Sequence, residues 1–200
     1  MTAVKICGLT RAEDALAAAA FGADFVGFVL WPSSPRATTV EHVRTIVAAL
    51  PSTVTPVGVF VDPTADDVRG AADAGIRIAQ VHCDTPTVLR GVTIPVVRAV
   101  HLAPDGIAPD VPDELVLLDA YDPVAKGGTG KTIDWNRAAR VAQQRRVILA
   151  GGLTPGNVRQ AILRVKPYAV DVASGVESSP GIKDHALIQS FITAAKSATA

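Results

Sequence analysis

Eight short apolar runs punctuate this chain, at residues 4–7, 25–30, 55–60, 78–81, 95–100, 115–118, 146–150 and 169–172, and nearly every one is followed by a segment patterned as a helix. The runs are apolar over most of their length and do not alternate regularly with polar residues. A strand of that kind is buried on both faces, which describes a parallel sheet covered by helices, an α/β architecture. Eight such units in 200 residues close most economically as a single small (β/α)8 TIM barrel. The competing arrangement, an open doubly wound sheet, normally uses fewer strands over this length.

The intervening segments carry helix signals. Thr10 with Glu13 reads as a capping box opening a helix over 11–21 that Gly22 closes, and Thr38 with Glu41 reads as a second, before Val40, Val43, Ile46, Val47 and Leu50 on one face. Thr64 caps a helix bearing Val68, Ala71 and Ala72 that stops at Gly75, and a short helix is expected around 85–89. Asp134 caps a helix over 135–143, and Thr154 with Pro155 opens one carrying Val158, Ala161, Ile162 and Val165. The last helix presents Leu187, Ile188, Phe191, Ile192 and Ala195. Residues 101–113 hold Pro104, Gly106, Pro109 and Pro112, so the crossover after the fifth strand is predicted to be a loop.

A chain of this size buries roughly 70 % of its unfolded surface, enough for a core without disulfides, and one domain over 1–200 is expected. Nineteen Lys and Arg balance nineteen Asp and Glu without any basic stripe. That argues against a nucleic-acid or anionic-membrane partner and for a small molecule. The longest apolar stretches, 15–21 and 28–31, fall far short of the ~20 residues a bilayer span needs. The N-terminus lacks a basic n-region and a long apolar h-region, so the expected compartment is the cytoplasm, where Cys7 and Cys83 are free thiols.

Barrel enzymes work at the C-terminal ends of their strands. The residues expected there are Cys7, Arg36, Asp62, Gln80 and His82, Arg98 and His101, Asp119, the glycines 127, 128 and 130, Gly151-Gly152, and Asp171 with Ser174-Gly175. Each alone reads equally well as a helix cap or a backbone partner. Together they gather polar groups at one rim. Gly151-Gly152 before a helix start and Ser174-Gly175 after the eighth run are the two loops from which barrels build a phosphate site with backbone N–H donors.

Residues 125–132, Ala-Lys-Gly-Gly-Thr-Gly-Lys-Thr, lack only the first glycine of a nucleotide-binding P-loop. The context opposes that reading, because Tyr121-Asp122-Pro123 precedes the segment and Ile133-Asp134 separates Lys131-Thr132 from the next helix. A loop folding over substrate fits better. Cys7 reads either as a small buried hydrophobe or, at the rim beside Gly8, as a reactive thiol. Cys7, Cys83, His82 and His101 lack the short paired spacings of a zinc site, so no metal is expected. His42 and His185 read as surface residues, and no Gly-x-Ser-x-Gly elbow occurs.

The blocks Lys5-Ile6-Cys7-Gly8-Leu9-Thr10, Ser34-Pro35-Arg36, Val57-Gly58-Val59-Phe60, Gln80-Val81-His82, Leu117-Leu118-Asp119, Gly127-Gly128-Thr129-Gly130-Lys131-Thr132-Ile133-Asp134-Trp135, Ala150-Gly151-Gly152-Leu153-Thr154-Pro155-Gly156-Asn157-Val158 and Asp171-Val172-Ala173-Ser174-Gly175-Val176-Glu177 resemble the phosphoribosylanthranilate isomerases of tryptophan biosynthesis. The resemblance runs from the first strand to the last helix. It implies a cofactor-free Amadori rearrangement of N-(5-phosphoribosyl)anthranilate, a phosphorylated small molecule, to 1-(2-carboxyphenylamino)-1-deoxyribulose 5-phosphate.

Carried over by position, the resemblance makes Cys7 the general base at the sugar C2 and Asp119 the general acid at the ring oxygen. A thiol titrating at ~8.5 needs modest tuning to act as a base near neutrality, whereas a carboxyl at ~4 must be raised by apolar, anionic surroundings to hold its proton. Arg36 is implied to bind the anthranilate carboxylate through its guanidinium fork. Gly151, Gly152, Ser174 and Gly175, with the loop around Gly130, would take the phosphate. Gln80, His82 and Asp171 would contact the ribose or the aromatic amine. The chain departs from the family pattern at Cys83, where a glycine commonly follows the histidine, and at Ala173, where a serine commonly stands. The alternatives are a nucleotide-binding switch requiring Mg²⁺ and a barrel that binds a phosphorylated metabolite without turnover. The presence of both acid–base candidates disfavours the latter.

Overall fold

The apolar runs form β1 (Ala3–Ile6), β2 (Phe25–Val29), β3 (Thr55–Val61), β4 (Ile78–His82), β5 (Val96–Leu102), β6 (Leu115–Ala120), β7 (Arg146–Leu149) and β8 (Ala169–Val172). They pair in sequence order, all parallel, and β1 closes against β8, so the sheet is a barrel. This is a computed structural model of the chain, and it describes residues 1–83, 89–102, 114–120 and 133–198. The helices among the described residues are α1 (Ala12–Ala20), α2 (Val40–Ala49), α3 (Ala65–Asp73), α4 (Trp135–Ala142), α5 (Val158–Val165) and α6 (His185–Lys196). The short helix expected around 85–89 and the loop expected over 101–113 lie largely outside the described residues. Within them, β5 continues through His101 to Leu102, beyond the expected end of that strand.

Alternation along each strand separates two layers. Val4, Ile6, Leu118, Leu149 and Val170 face outward into the large core between barrel and helices, where each buried side chain contributes about 1.5–3 kcal/mol. Ala3, Val97, Ala99, Leu117, Ile148 and Ala169 face inward and pack an apolar plug inside the barrel. The strands are mostly apolar because both of their faces are buried. The inward face turns polar only near the C-terminal ends, and that switch places the site.

Thr64 and Asp134 cap their helices as the sequence suggests, Thr64 within a capping box completed by Asp67. Three other starts differ. The Thr10 hydroxyl donates to the Gly181 carbonyl at 2.6 Å, and α1 begins at Ala12 after an N-cap Arg11 that makes no side-chain cap bond. Thr39, and not Thr38, caps α2 by accepting from the His42 N–H. Thr154 does not open α5: its N–H donates to Asn157 Oδ1 at 2.8 Å while Asn157 Nδ2 donates to the Gly152 carbonyl at 2.9 Å, so a turn precedes the first helical residue, Val158. The Asn157 amide ties that turn to the glycine loop and delays the helix by one turn.

A hairpin that the sequence reading did not foresee follows β8. A 3-10 turn at Ser174–Val176 leads into β9 (Glu177–Ser179) and β10 (Ile182–Lys183), joined through Gly181 at φ 82°. Its register pairs Lys183 with Glu177.

Candidate active site

The polar ends of the inward faces meet in one cavity of about 410 Å³ at the C-terminal mouth of the barrel. That size is typical of a small-molecule site. Cys7, Arg36, Gln80, His82, Asp119, Asp171, Gly151, Gly152, Ser174 and Gly175 all line it. Gly130 and its neighbours 127 and 128 lie outside the described residues. Asp62 is exposed at a positive φ of 44° and stands apart from the cavity lining. Arg98 projects from the other face of β5, and its Nη1 lies 3.4 Å from Cys83 Sγ. The His101 ring lies 6.0 Å from that of His82.

Cys7 follows β1 on the inward face and is buried. Its space is made by Gly27 on β2, where a Cβ would come within 2.8 Å of the sulfur. Gly8 then turns the chain at φ 72°, and a Cβ there would stand 2.5 Å from Arg36 Cδ. Glycine at 8 is therefore required twice, by its backbone and by the Arg36 stem packed on it. Across the mouth, Asp119 lies on β6 in register with His101 and is 7 % exposed, at the cavity wall and not in open solvent.

Beneath Cys7 lies Lys5, 2 % exposed, on the same inward face because it stands two positions earlier in the chain. Its Nζ donates to Gln80 Oε1 at 2.8 Å and to Asp171 Oδ2 at 3.1 Å. Asp171 is the register partner of Lys5 in the β1–β8 pairing, so the sheet itself fixes that ion pair. Gln80 Nε2 in turn lies 3.0 Å from His82 Nε2. The other Asp171 oxygen, Oδ1, is buried without a hydrogen-bond partner among the described residues. An acceptor left open in the wall of a cavity is suited to a ligand donor.

Burial disfavours charge on both members of the pair closest to the reaction centre. It pushes the Cys7 thiol above its ordinary value, an effect that Lys5 opposes and Asp171 reinforces, with Lys183 pulling weakly downward. For Lys5 burial works against the ammonium, yet Asp171 and the neighbouring sulfur outweigh it and hold the group charged above its ordinary range.

Arg36 enters from the loop after β2 and is held by Glu177 of the hairpin: Nε and Nη2 donate to Oε1 and Oε2, each at 2.8 Å. Lys183 Nζ donates to the same Oε1 at 2.7 Å and to the Ala173 carbonyl at 3.0 Å. Burial would raise the Glu177 carboxyl, but Arg36 and Lys183 hold it below the usual carboxylate range. Burial draws the Lys183 ammonium down in spite of Glu177. The fork that the resemblance offers to a ligand carboxylate is therefore partly occupied within the protein.

The two glycine loops touch. A Cβ on Gly175 would stand 1.9 Å from the Leu153 carbonyl oxygen, so only glycine lets the β8 loop lie on the β7 loop. Gly151 and Gly152 both take left-handed backbone, at φ 84° and 62°. These loops bring main chain to the cavity wall at two adjacent points, the arrangement that suits a phosphate.

Lys5, Glu177 and Lys183 are the site residues absent from the sequence candidates. Lys5 carried a signal, a charge inside an apolar run two positions before Cys7. Glu177 and Lys183 carried none, because their role depends on the hairpin. His42 Nε2 lies 2.9 Å from the Thr10 carbonyl, and His185 Nε2 lies 2.8 Å from buried Asp14, so both histidines tie helices together at the surface. Among the described residues no group of three or more His, Cys, Asp or Glu side chains is placed to hold a metal, and no helix is long and apolar enough to cross a membrane.

The family model described as N-(5'phosphoribosyl)anthranilate (PRA) isomerase matches residues 4–194. The N-(5'-phosphoribosyl)anthranilate isomerase of Geobacter sp. (strain M21) is 45 % identical over 201 residues, covering 98 % of this chain and 98 % of that protein. The enzyme of the same name from Pseudomonas fluorescens (strain Pf0-1) is 47 % identical, covering 96 % and 97 %. Among solved structures, the phosphoribosyl anthranilate isomerase of Thermus thermophilus superposes with a TM-score of 0.87 at 40 % identity, over 98 % of this chain and 99 % of that one. A phosphoribosyl anthranilate isomerase in complex with reduced 1-(o-carboxyphenylamino)-1-deoxyribulose 5-phosphate superposes with a TM-score of 0.82 at 37 % identity, over 98 % and 100 %.

Proposed function

The chain belongs to the N-(5'-phosphoribosyl)anthranilate isomerase family of tryptophan biosynthesis, and from that membership we propose that Cys7 and Asp119 carry the proton transfers of its isomerisation. The reaction converts N-(5-phosphoribosyl)anthranilate to 1-(2-carboxyphenylamino)-1-deoxyribulose 5-phosphate. C1 is reduced and C2 oxidised within one molecule, so the electrons balance without an external hydride donor.

Asp119 donates its proton to the furanose ring oxygen, and the C1–O bond breaks with its electron pair going to that oxygen. The anthranilate nitrogen lone pair forms the C1=N bond. Cys7 as thiolate then removes the proton from C2, and the electrons of that C–H bond form the C1–C2 double bond of an enolamine. Tautomerisation, with protonation at C1 and loss of the C2 hydroxyl proton, gives the ketone. General acid–base groups of this kind each contribute about 10²–10⁴ in rate.

The observation that carries the assignment is that Cys7, just past β1, and Asp119, on β6, face one cavity whose wall also holds the 151–152 and 174–175 backbone. Arg36 offers the anthranilate carboxylate the end of its guanidinium that Glu177 does not engage. Gly151, Gly152, Ser174 and Gly175 receive the phosphate, with the loop around Gly130 as a further source of N–H donors. The open Asp171 oxygen and His82 contact the ribose hydroxyls or the amine.

The test is Asp119→Asn assayed with freshly made phosphoribosylanthranilate, following its anthranilate fluorescence in a single turnover beside a thermal melt. The expected result is substrate binding near wild type with ring opening slowed by roughly 10²–10⁴. A variant that is destabilised yet keeps wild-type chemistry per folded molecule would reduce Asp119 to a structural residue.

A further inference from the structure

The proposed base is buried and nothing in the reaction described above draws it into its charged form, whereas directly below it the barrel buries a cation that the reaction does not use. We propose that Lys5 is the positioning residue that makes Cys7 competent as a base: an ammonium locked into the barrel axis by Asp171 and Gln80, whose fixed positive charge favours the thiolate over the thiol. The inference rests on the reading of Cys7 as the base.

Three observations carry it. Lys5 and Cys7 share the inward face of β1, and the same small void over Gly27 receives them both: a Cβ there would meet Cys7 Sγ at 2.8 Å and Lys5 Cε at 3.2 Å. The ammonium cannot swing to solvent, because its register partner Asp171 holds it at 3.1 Å and Gln80, from across the barrel, at 2.8 Å. A buried ion pair is costly to desolvate, and apolar residues of similar volume in place of both Lys5 and Asp171 would fill the plug at little loss of stability. A cation kept in the water-poor floor of a site is a fixed electrostatic support that needs no reorganisation during the reaction.

The charged groups that act on Cys7 come from four elements. Lys5 on β1 and Lys183 on β10 favour the thiolate, Asp171 on β8 opposes it, and Arg36, from the loop after β2, also interacts electrostatically with the sulfur. Asp119 on β6 and His82 on β4 face the same cavity. Lys5 is the strongest of the favourable influences on the sulfur. Asp171 partly cancels it, so the pair acts as an oriented dipole with its positive end toward the thiol.

The experiment measures the pH dependence of Cys7 alkylation by iodoacetamide in a Cys83→Ala background, where Cys7 is the remaining thiol, and does so without reference to turnover. Lys5→Met is compared with its parent. The expected result is a titration displaced to higher pH, with alkylation at pH 7 at least about tenfold slower, kcat lowered in parallel and KM changed less than about threefold. A merely structural role for Lys5 gives the opposite sign, since a loosened, better-hydrated Cys7 titrates lower and reacts faster. An unchanged or downward-shifted titration overturns the proposal.

Lys5→Met leaves the Asp171 carboxylate buried and unpaired, so Lys5→Met/Asp171→Asn, which removes both charges, and Lys5→Gln, which keeps a donor for Gln80, are measured in the same way. Both are expected to shift the titration upward, the double variant by less. Failure of the base assignment is distinguishable: a Cys7→Ser enzyme with full activity refutes the base while leaving the alkylation shift in place.

Discussion

Arg36 and Glu177 meet edge to edge, Nε to Oε1 and Nη2 to Oε2 at 2.8 Å each, although 141 residues separate them in the chain. The pair joins the loop after β2 to the β9–β10 hairpin across the mouth of the barrel. With side chains 12 % and 5 % exposed, it is shielded enough for its geometry to persist. Arg36 is thus aimed before any ligand arrives. Glu177→Gln should leave Lys183 and Arg36 without their common anion and cost about 2–3 kcal/mol in denaturant unfolding. A loss below about 0.5 kcal/mol would show that the hairpin is held by other contacts.

Arg36→Met removes the proposed carboxylate contact and should weaken substrate binding by about 1.5–3 kcal/mol. A ligand without the carboxylate is the control. Should the variant discriminate between carboxylated and decarboxylated ligands as strongly as the parent does, Arg36 is not the clamp.

The acid limb of stability follows from Glu177 and Asp14, both held below the usual carboxylate range. In each, burial alone would raise the group, but hydrogen-bonded partners outweigh it: Arg36 and Lys183 for Glu177, and Arg11, the Lys183 N–H and His185 for Asp14. A carboxyl that titrates lower when folded adds stability above the unfolded value, about 4, and loses it as pH falls through the folded one. Stability should therefore fall steeply below about pH 4. The slope should be shallower in Glu177→Gln, as read from denaturation midpoints across that window; an unchanged slope would remove Glu177 from the account.

Gly175→Ala places a Cβ against the Leu153 carbonyl, so one glycine loop must move off the other. The expected cost is about 1–3 kcal/mol of stability together with weaker inhibition by inorganic phosphate. Phosphate inhibition equal to wild type would place the phosphate elsewhere.

The barrel was legible because eight apolar runs recur with helices between them, and the rim residues follow from where those runs end. The helix starts were less legible. Thr10, Thr38 and Thr154 each sit at a plausible capping spacing, but Thr10 is drawn to Gly181 of the hairpin, a tertiary competitor that no local pattern contains, and Asn157, three residues on, takes the Thr154 N–H as a local competitor. Lys5 was overlooked for a related reason. Its charge inside an apolar run is a visible cue, but its place shows only once Asp171 and Gln80 arrive from two other strands.

The most direct test of the account is the turnover of Cys7→Ser. Serine keeps the size and a hydroxyl but is far less acidic than a thiol, so it cannot supply the anion that removes the C2 proton. With the variant folded and binding substrate near wild type, the rate of phosphoribosylanthranilate consumption is expected to fall by roughly 10²–10⁴. Turnover at the wild-type rate would contradict the assignment of Cys7 as the base.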